Sequence, residues 1–118
     1  MYLERLSTIS SRVEGALALS LVAADGMPVE SFSSDPELDL ESIAAEMVAQ
    51  ARTIAQQQRE LSVGEIRQLT IAGDALTFVL SALGHGHWLL AALSPEASLG
   101  RARFELKRAT LLFANDLD

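Results

Sequence analysis

Two stretches of this chain are apolar on both sides of an extended backbone, and that constrains its fold more than any other feature. In Gly15 to Ala23, GALALSLVA, residues Leu17, Leu19 and Leu21 share one strand face and Ala16, Ala18 and Val22 the other. The stretch His87 to Leu93, HWLLAAL, repeats the pattern. Successive side chains of a strand alternate between faces. A strand that is apolar on both faces must therefore be covered above and below. The sheet that contains these two strands needs a helical layer on each side.

The rest of the chain supplies the other strands and the helices. Apolar residues at Leu3, Leu6, Ile9 and Val13 have helical spacing and predict a short first helix. Asp25-Gly26 follows the first strand and predicts a two-residue type I′ hairpin turn into a return strand, Met27 to Phe32. Pro28 in that strand lacks a backbone donor, which suits an edge. After the breaker Asp35-Pro36, Asp39 is a plausible N-cap for a long helix from Leu40 to about Glu60. Its core stripe is Leu40, Ile43, Ala44, Met47, Val48, Ala51, Ile54 and Ala55.

Three strands then follow in quick succession: Glu65 to Ala72, Ala75 to Leu83, and His87 to Leu93. Gly73-Asp74 and Gly84-His85-Gly86 are the expected loops between them. The first of the three, EIRQLTI, is mixed in character and reads as a second edge. The last helix is expected from Pro95 to about Asn115, with Ser94 as N-cap and Pro95 at the first helical position. Gly100 costs that helix roughly 1 kcal/mol against Ala, and close packing on the sheet is the expected reason for it. The order is α-β-β-α-β-β-β-α. The second and third strands are edges, and the first and fifth are central. The fold class is α/β, an α+β sandwich.

A chain of 118 residues suits one domain. It has no cysteine, which removes disulfides and thiolate chemistry and fits a reducing compartment. MYLERLSTIS lacks an uninterrupted apolar core, so no signal peptide is expected, and the expected location is the cytoplasm. No apolar run reaches membrane-spanning length, so no membrane insertion is expected. A net charge of −7 argues against nucleic acid as a partner.

Catalytic signatures are missing from the sequence. There is no Gly-x-x-x-x-Gly-Lys-Ser/Thr phosphate loop and no G-x-S-x-G elbow. His85 and His87 could share a strand face and a metal, but the glycines around His85 favour loop histidines with no metal or other cofactor.

Two helix faces remain. On the long helix, Ala45, Ala49, Arg52 and Gln56 lie opposite the core stripe. They are either a solvated face or the site of a close helix–helix contact. The edge strand, with Arg67, Leu69 and Ile71, tips that choice toward self-association, because an unblocked edge is a liability unless paired. On the last helix, Leu99, Ala102, Leu106, Ala109 and Phe113 form the core stripe. Phe104 and Leu111 lie about opposite, interleaved with Arg101 and Arg108. They are either a partner-binding face with an apolar anchor, or they pack on the first helix while the charges serve solubility.

Short motifs along nearly the whole chain resemble the Roadblock family, the dynein light chain group. They are V-E-G-A from Val13, D-G-M-P-V from Asp25, Ala44-Ala45-Glu46, V-G-E-I from Val63, L-L-A-A-L from Leu89, Leu99-Gly100, and Leu106 to Ala109. Ser11-Arg12 stands where that family carries Pro-Gly. The resemblance implies a profilin-like five-stranded, mostly antiparallel sheet of order 2-1-5-4-3. It also implies a homodimer, or a heterodimer of like domains, in which the long helices pack together and the third strands join. Bacterial members of the MglB type regulate Ras-like small GTPases in motility and polarity, so the resemblance implies a non-enzymatic GTPase regulator. The alternative is a dimeric scaffold or adaptor without effect on nucleotide turnover. A small-molecule sensor is a third reading, disfavoured by strands with few polar groups to orient a ligand.

Overall fold

The two strands that are apolar on both faces become neighbours at the centre of the sheet. The computed structural model describes residues 2–113. In chain order these form α1 (Tyr2–Ser11), β1 (Ala16–Val22), β2 (Pro28–Ser33), α2 (Leu40–Gln57), β3 (Gln68–Ala72), β4 (Thr77–Gly84), β5 (His87–Leu93) and α3 (Leu99–Phe113). The strands make one sheet of order β2-β1-β5-β4-β3 in which every neighbouring pair is antiparallel. The element order, the sheet order and the two edges are those expected from the sequence. The expected end of the last helix at Asn115 lies outside the described residues.

Two cores sit on opposite faces of the sheet, as two-sided strands require. Leu19, Leu21, Val79, Leu89, Ala91 and Leu93 pack with Leu6 and Ile9 of α1 and with Ala102, Leu106, Ala109 and Phe113 of α3. Val22, Leu80 and Leu90 pack with Ala44, Met47, Val48 and Ala51 of α2. The α2 core is the smaller one, and its margin is made of half-buried Ile43, Leu69, Phe78 and Trp88.

Element ends differ from expectation where turn chemistry decides them. The long helix stops at Gln57 and is followed by a single 3-10 turn, Arg59–Leu61. Its start is as read: Asp39 Oδ1 accepts from the Ser42 backbone N–H at 3.2 Å, and the Ser42 hydroxyl donates to Oδ2 at 2.8 Å. The Ser42 hydroxyl first, and the backbone N–H second, hold the Asp39 carboxyl below the usual carboxylate range.

The last helix begins one turn later than expected, and its cap is Ser98, not Ser94. Ser98 Oγ accepts from the Arg101 N–H at 3.2 Å. The Ser94 N–H instead donates to the Gly15 carbonyl at 2.8 Å, so Ser94 still runs alongside the sheet, and Pro95 lies in the turn that follows. Gly100 is exposed, and a Cβ there would meet nothing within 4 Å, so close packing is not its reason. The structure offers no other reason.

The β1–β2 turn is not type I′. The Gly26 N–H donates to the Ala23 carbonyl at 2.9 Å, and the Ala23 N–H donates to Met27 O at 2.9 Å. Only Gly26 in this loop has positive φ, at +89°. This is a type I turn closed by a glycine bulge, and Asp25 Oδ1 accepts from the Met27 N–H. The type I′ turn is at the β4–β5 hairpin, where His85 (φ +53°) and Gly86 (φ +79°) separate the paired residues Gly84 and His87. Between β3 and β4, the Gly73 N–H donates to Leu76 O at 2.9 Å, which places Asp74 and Ala75 at the tip instead of Gly73-Asp74.

Gly26 also positions α2. A Cβ there would lie 3.2 Å from Ala45 Cα and 3.6 Å from Val48 Cβ. Gly26→Ala is expected to cost about 1–2 kcal/mol from the left-handed backbone alone, and more if the helix cannot move. Urea unfolding midpoints would check this, and an unchanged midpoint would show that the loop adapts freely.

Candidate interaction surfaces

The first surface is the α2 face of the sheet together with its β3 edge. Ala45, Ala49, Arg52 and Gln56 are all exposed on α2, as the helical spacing required. They are not equally free. The Ala45 backbone rests on Gly26, and the Arg52 guanidinium donates to the Ala24 carbonyl. Arg52 therefore ties α2 to the β1–β2 loop, while Ala49 and Gln56 have no such tether among the described residues. Small side chains at Ala45 and Ala49 leave the α2 backbone open to close approach.

At the far side of the same face, Leu69 packs at the margin of the α2 core and Ile71 is 45 % exposed. The residue expected with them, Arg67, lies just outside β3, although its carbonyl still accepts from the Ala82 N–H at 2.8 Å. β3 is shorter than expected and begins only at Gln68. It is an edge strand whose outer side meets no other strand of the sheet. Exposed Leu61 and Val63 precede it, two apolar residues that strand and helix periodicity did not mark.

The second surface is α3, on the opposite side of the sheet. Phe104 is 54 % exposed and Leu111 75 % exposed, so neither packs on α1. The guanidinium groups of Arg101 and Arg108 each lie over the Phe104 ring, 5.8 and 5.9 Å from its centroid. Beneath them is a residue that pattern reading missed. Glu105 is only 1 % exposed, on the core side of α3. Its Oε1 lies 3.3 Å from both Arg101 Nη2 and Arg108 Nη1, and its Oε2 lies 3.9 Å from Arg12 Nη1. Oε2 accepts no hydrogen bond from the described residues. A buried carboxylate is costly unless paired, and three arginines from two parts of the chain converge to pair it. The signal in the sequence was the placement of Arg101 four residues before Glu105 and Arg108 three residues after it. On the other flank of α3, Arg103 donates to Thr70 Oγ1 of β3 at 3.2 Å.

Among the described residues, no group of three or more His, Cys, Asp or Glu side chains is placed to hold a metal. His85 and His87 fall at the β4–β5 turn and the strand residue after it. Among the described residues, no helix is long and apolar enough to cross a membrane.

A five-stranded antiparallel sheet of this order, flanked by α1 and α3 on one face and α2 on the other, defines a Roadblock-type sandwich. No family model matches the sequence, and no curated protein matches it. Solved structures do match, among them Roadblock/LC7 domain proteins, MglB and MglC. A Roadblock/LC7 domain from Streptomyces avermitilis superposes with a TM-score of 0.87 at 19 % identity, over 98 % of this chain and 96 % of that one. The gliding protein MglB from Thermus thermophilus gives 0.86 at 17 % identity, over 95 % and 84 %. MglC from Myxococcus xanthus gives 0.72 at 26 % identity, over 99 % and 100 %. This chain has the Roadblock/LC7 fold along its whole described length.

Proposed function

We propose that this chain is a non-enzymatic, self-pairing regulator of a Ras-like small GTPase. The reading rests on the fold it shares with MglB, taken with the MglB-type role that its sequence motifs imply. A cytoplasmic setting in bacterial motility or polarity goes with that reading.

Pairing uses the first surface. A two-fold interface places the same patch on both copies. Ala45, Ala49, Arg52 and Gln56 bring the α2 helices together, while Arg67, Leu69 and Ile71 meet along the β3 edge. Joining the two β3 edges removes an unpaired ladder from solvent. The same pairing covers Ile71, which a monomer leaves open. Regulation then works by contact. The dimer docks on the switch regions of the GTPase and shifts the population of their hydrolysis-competent arrangement.

The test is single-turnover GTP hydrolysis by a Ras-like GTPase from the same genome, with and without this protein. Acceleration by at least about tenfold, equivalent to roughly 1.4 kcal/mol of barrier, is expected. A complex that forms without any rate change would favour the adaptor reading. Absence of both binding and acceleration would overturn the GTPase reading altogether.

A further inference from the structure

We propose that the α3 face formed by Arg12, Arg101, Phe104, Arg108 and Leu111 docks an acidic segment of a partner protein, one that carries apolar side chains among its carboxylates. This proposal goes beyond the GTPase reading and does not depend on it. The face lies across the sheet from α2.

The charge distribution carries the argument. The chain has a net charge of −7 and nine Lys and Arg residues. Five of those nine, Arg12, Arg101, Arg103, Lys107 and Arg108, are exposed on α3 or directly beside it. The single acid of α3, Glu105, is buried, so the solvent-facing part of that helix shows cations alone. Helix stability does not explain the pattern. Arg101 lies in the first turn, where the helix dipole disfavours a cation, and the last turn holds no basic residue. Solubility does not explain it either, because an acidic chain gains none from a local patch of opposite sign.

The geometry explains it better. Glu105 holds Arg101 and Arg108 from below, at 3.3 Å each, and leaves most of their donors free. Both guanidinium groups lie over Phe104, so an exposed ring is framed by fixed cations. Groups held in place before binding lose less entropy on binding. Aromatic and arginine side chains at one spot are the usual composition of an interface hot spot. Residues 101, 104, 108 and 111 run along one side of the helix for about 15 Å, a length that a short helical or extended segment can follow. An extended polyanion is a poorer match, because a duplex or an anionic bilayer would also meet the acidic remainder of the surface.

The probe is a fluorescein-labelled synthetic peptide of glutamates and leucines at helical spacing, titrated with the full chain and followed by anisotropy. Saturable binding that weakens with added salt is expected. Phe104→Ala should weaken it by about tenfold or more, and Arg108→Glu at least as much. Arg103→Glu makes the same change of charge on the other flank of α3, where Arg103 donates to Thr70 Oγ1, and should have an effect of less than about threefold. Thermal midpoints check that each variant is folded, and Phe104→Ala, an exposed position, keeps the test decisive if Arg108→Glu disturbs Glu105. Absence of saturable binding would overturn the proposal. So would equal weakening by all three variants, or binding to phosphatidylserine vesicles or duplex DNA in preference to the peptide. Failure here would leave the GTPase reading untouched, since that experiment measures hydrolysis.

Discussion

An Ala49→Glu chain is expected to run as a monomer in multi-angle light scattering at concentrations where the parent chain runs as a dimer. Ala49 is exposed in the middle of α2, opposite the residues that seat the helix on the sheet. Glutamate is a good helix former, so the fold itself should lose only a few tenths of a kcal/mol. The cost falls on pairing. A two-fold interface brings this position of one copy close to α2 of the other, so two new carboxylates would be desolvated together and no cation is placed to pair them. A cost of about 3 kcal/mol would raise the dissociation constant by more than 100-fold. Arg52 does not rescue the variant, because its guanidinium is already engaged with the Ala24 carbonyl. A variant that remains dimeric would move the interface off α2. Ile71→Glu would then show whether the β3 edge pairs without it.

The same residues show how far a sequence carries such an argument. GALALSLVA and HWLLAAL demanded cover on both faces, and burial through the end of both strands agrees. Edge strands were legible because Pro28 and the mixed EIRQLTI stretch cannot occupy a centre. Turn type was less legible. Asp-Gly serves a type I′ turn and a type I turn with a glycine bulge, since both need Gly in the left-handed region, and the distinction depends on whether Asp25 is there too. Two serines, Ser94 and Ser98, could each cap α3, and the choice was made by Gly15, a residue distant in sequence. Glu105 was invisible to binary patterning, which treats every charge as a surface residue. Its core-side position is set by the packing of α3 on the sheet, and its third cation, Arg12, is brought near only by the tertiary fold. The exposed places of Ala45 and Ala49 followed from helical spacing, whereas those of Phe104 and Leu111 did not, because spacing left packing on α1 open. What meets any of the four did not follow either, because a partner leaves no period in the chain that binds it.

Leu89→Ala and Leu90→Ala should lose similar stability and different functions. Both residues are fully buried neighbours on β5, at the centre of the sheet. Each truncation should cost about 2–5 kcal/mol in urea unfolding, through lost transfer energy and the cavity left behind. Their side chains point to opposite faces. Leu89 supports α1 and α3, while Leu90 supports α2 beside Val22, Val48 and Leu80. The α2 core is the smaller of the two, so a void under it has fewer neighbours to fill it and α2 itself is the element free to settle. A shifted α2 no longer presents Ala45 and Ala49 at the height of the β3 edge, and the dimer constant should rise by about tenfold or more for Leu90→Ala. Leu89→Ala should leave pairing within about threefold, because its cavity opens under α3 and the coupling across a packed sheet is weak. The acidic peptide should respond in the opposite sense, weakened by Leu89→Ala and little changed by Leu90→Ala. If both substitutions weakened both interactions alike, the two faces would be one cooperative unit. Pairing on one side would then be coupled to docking on the other.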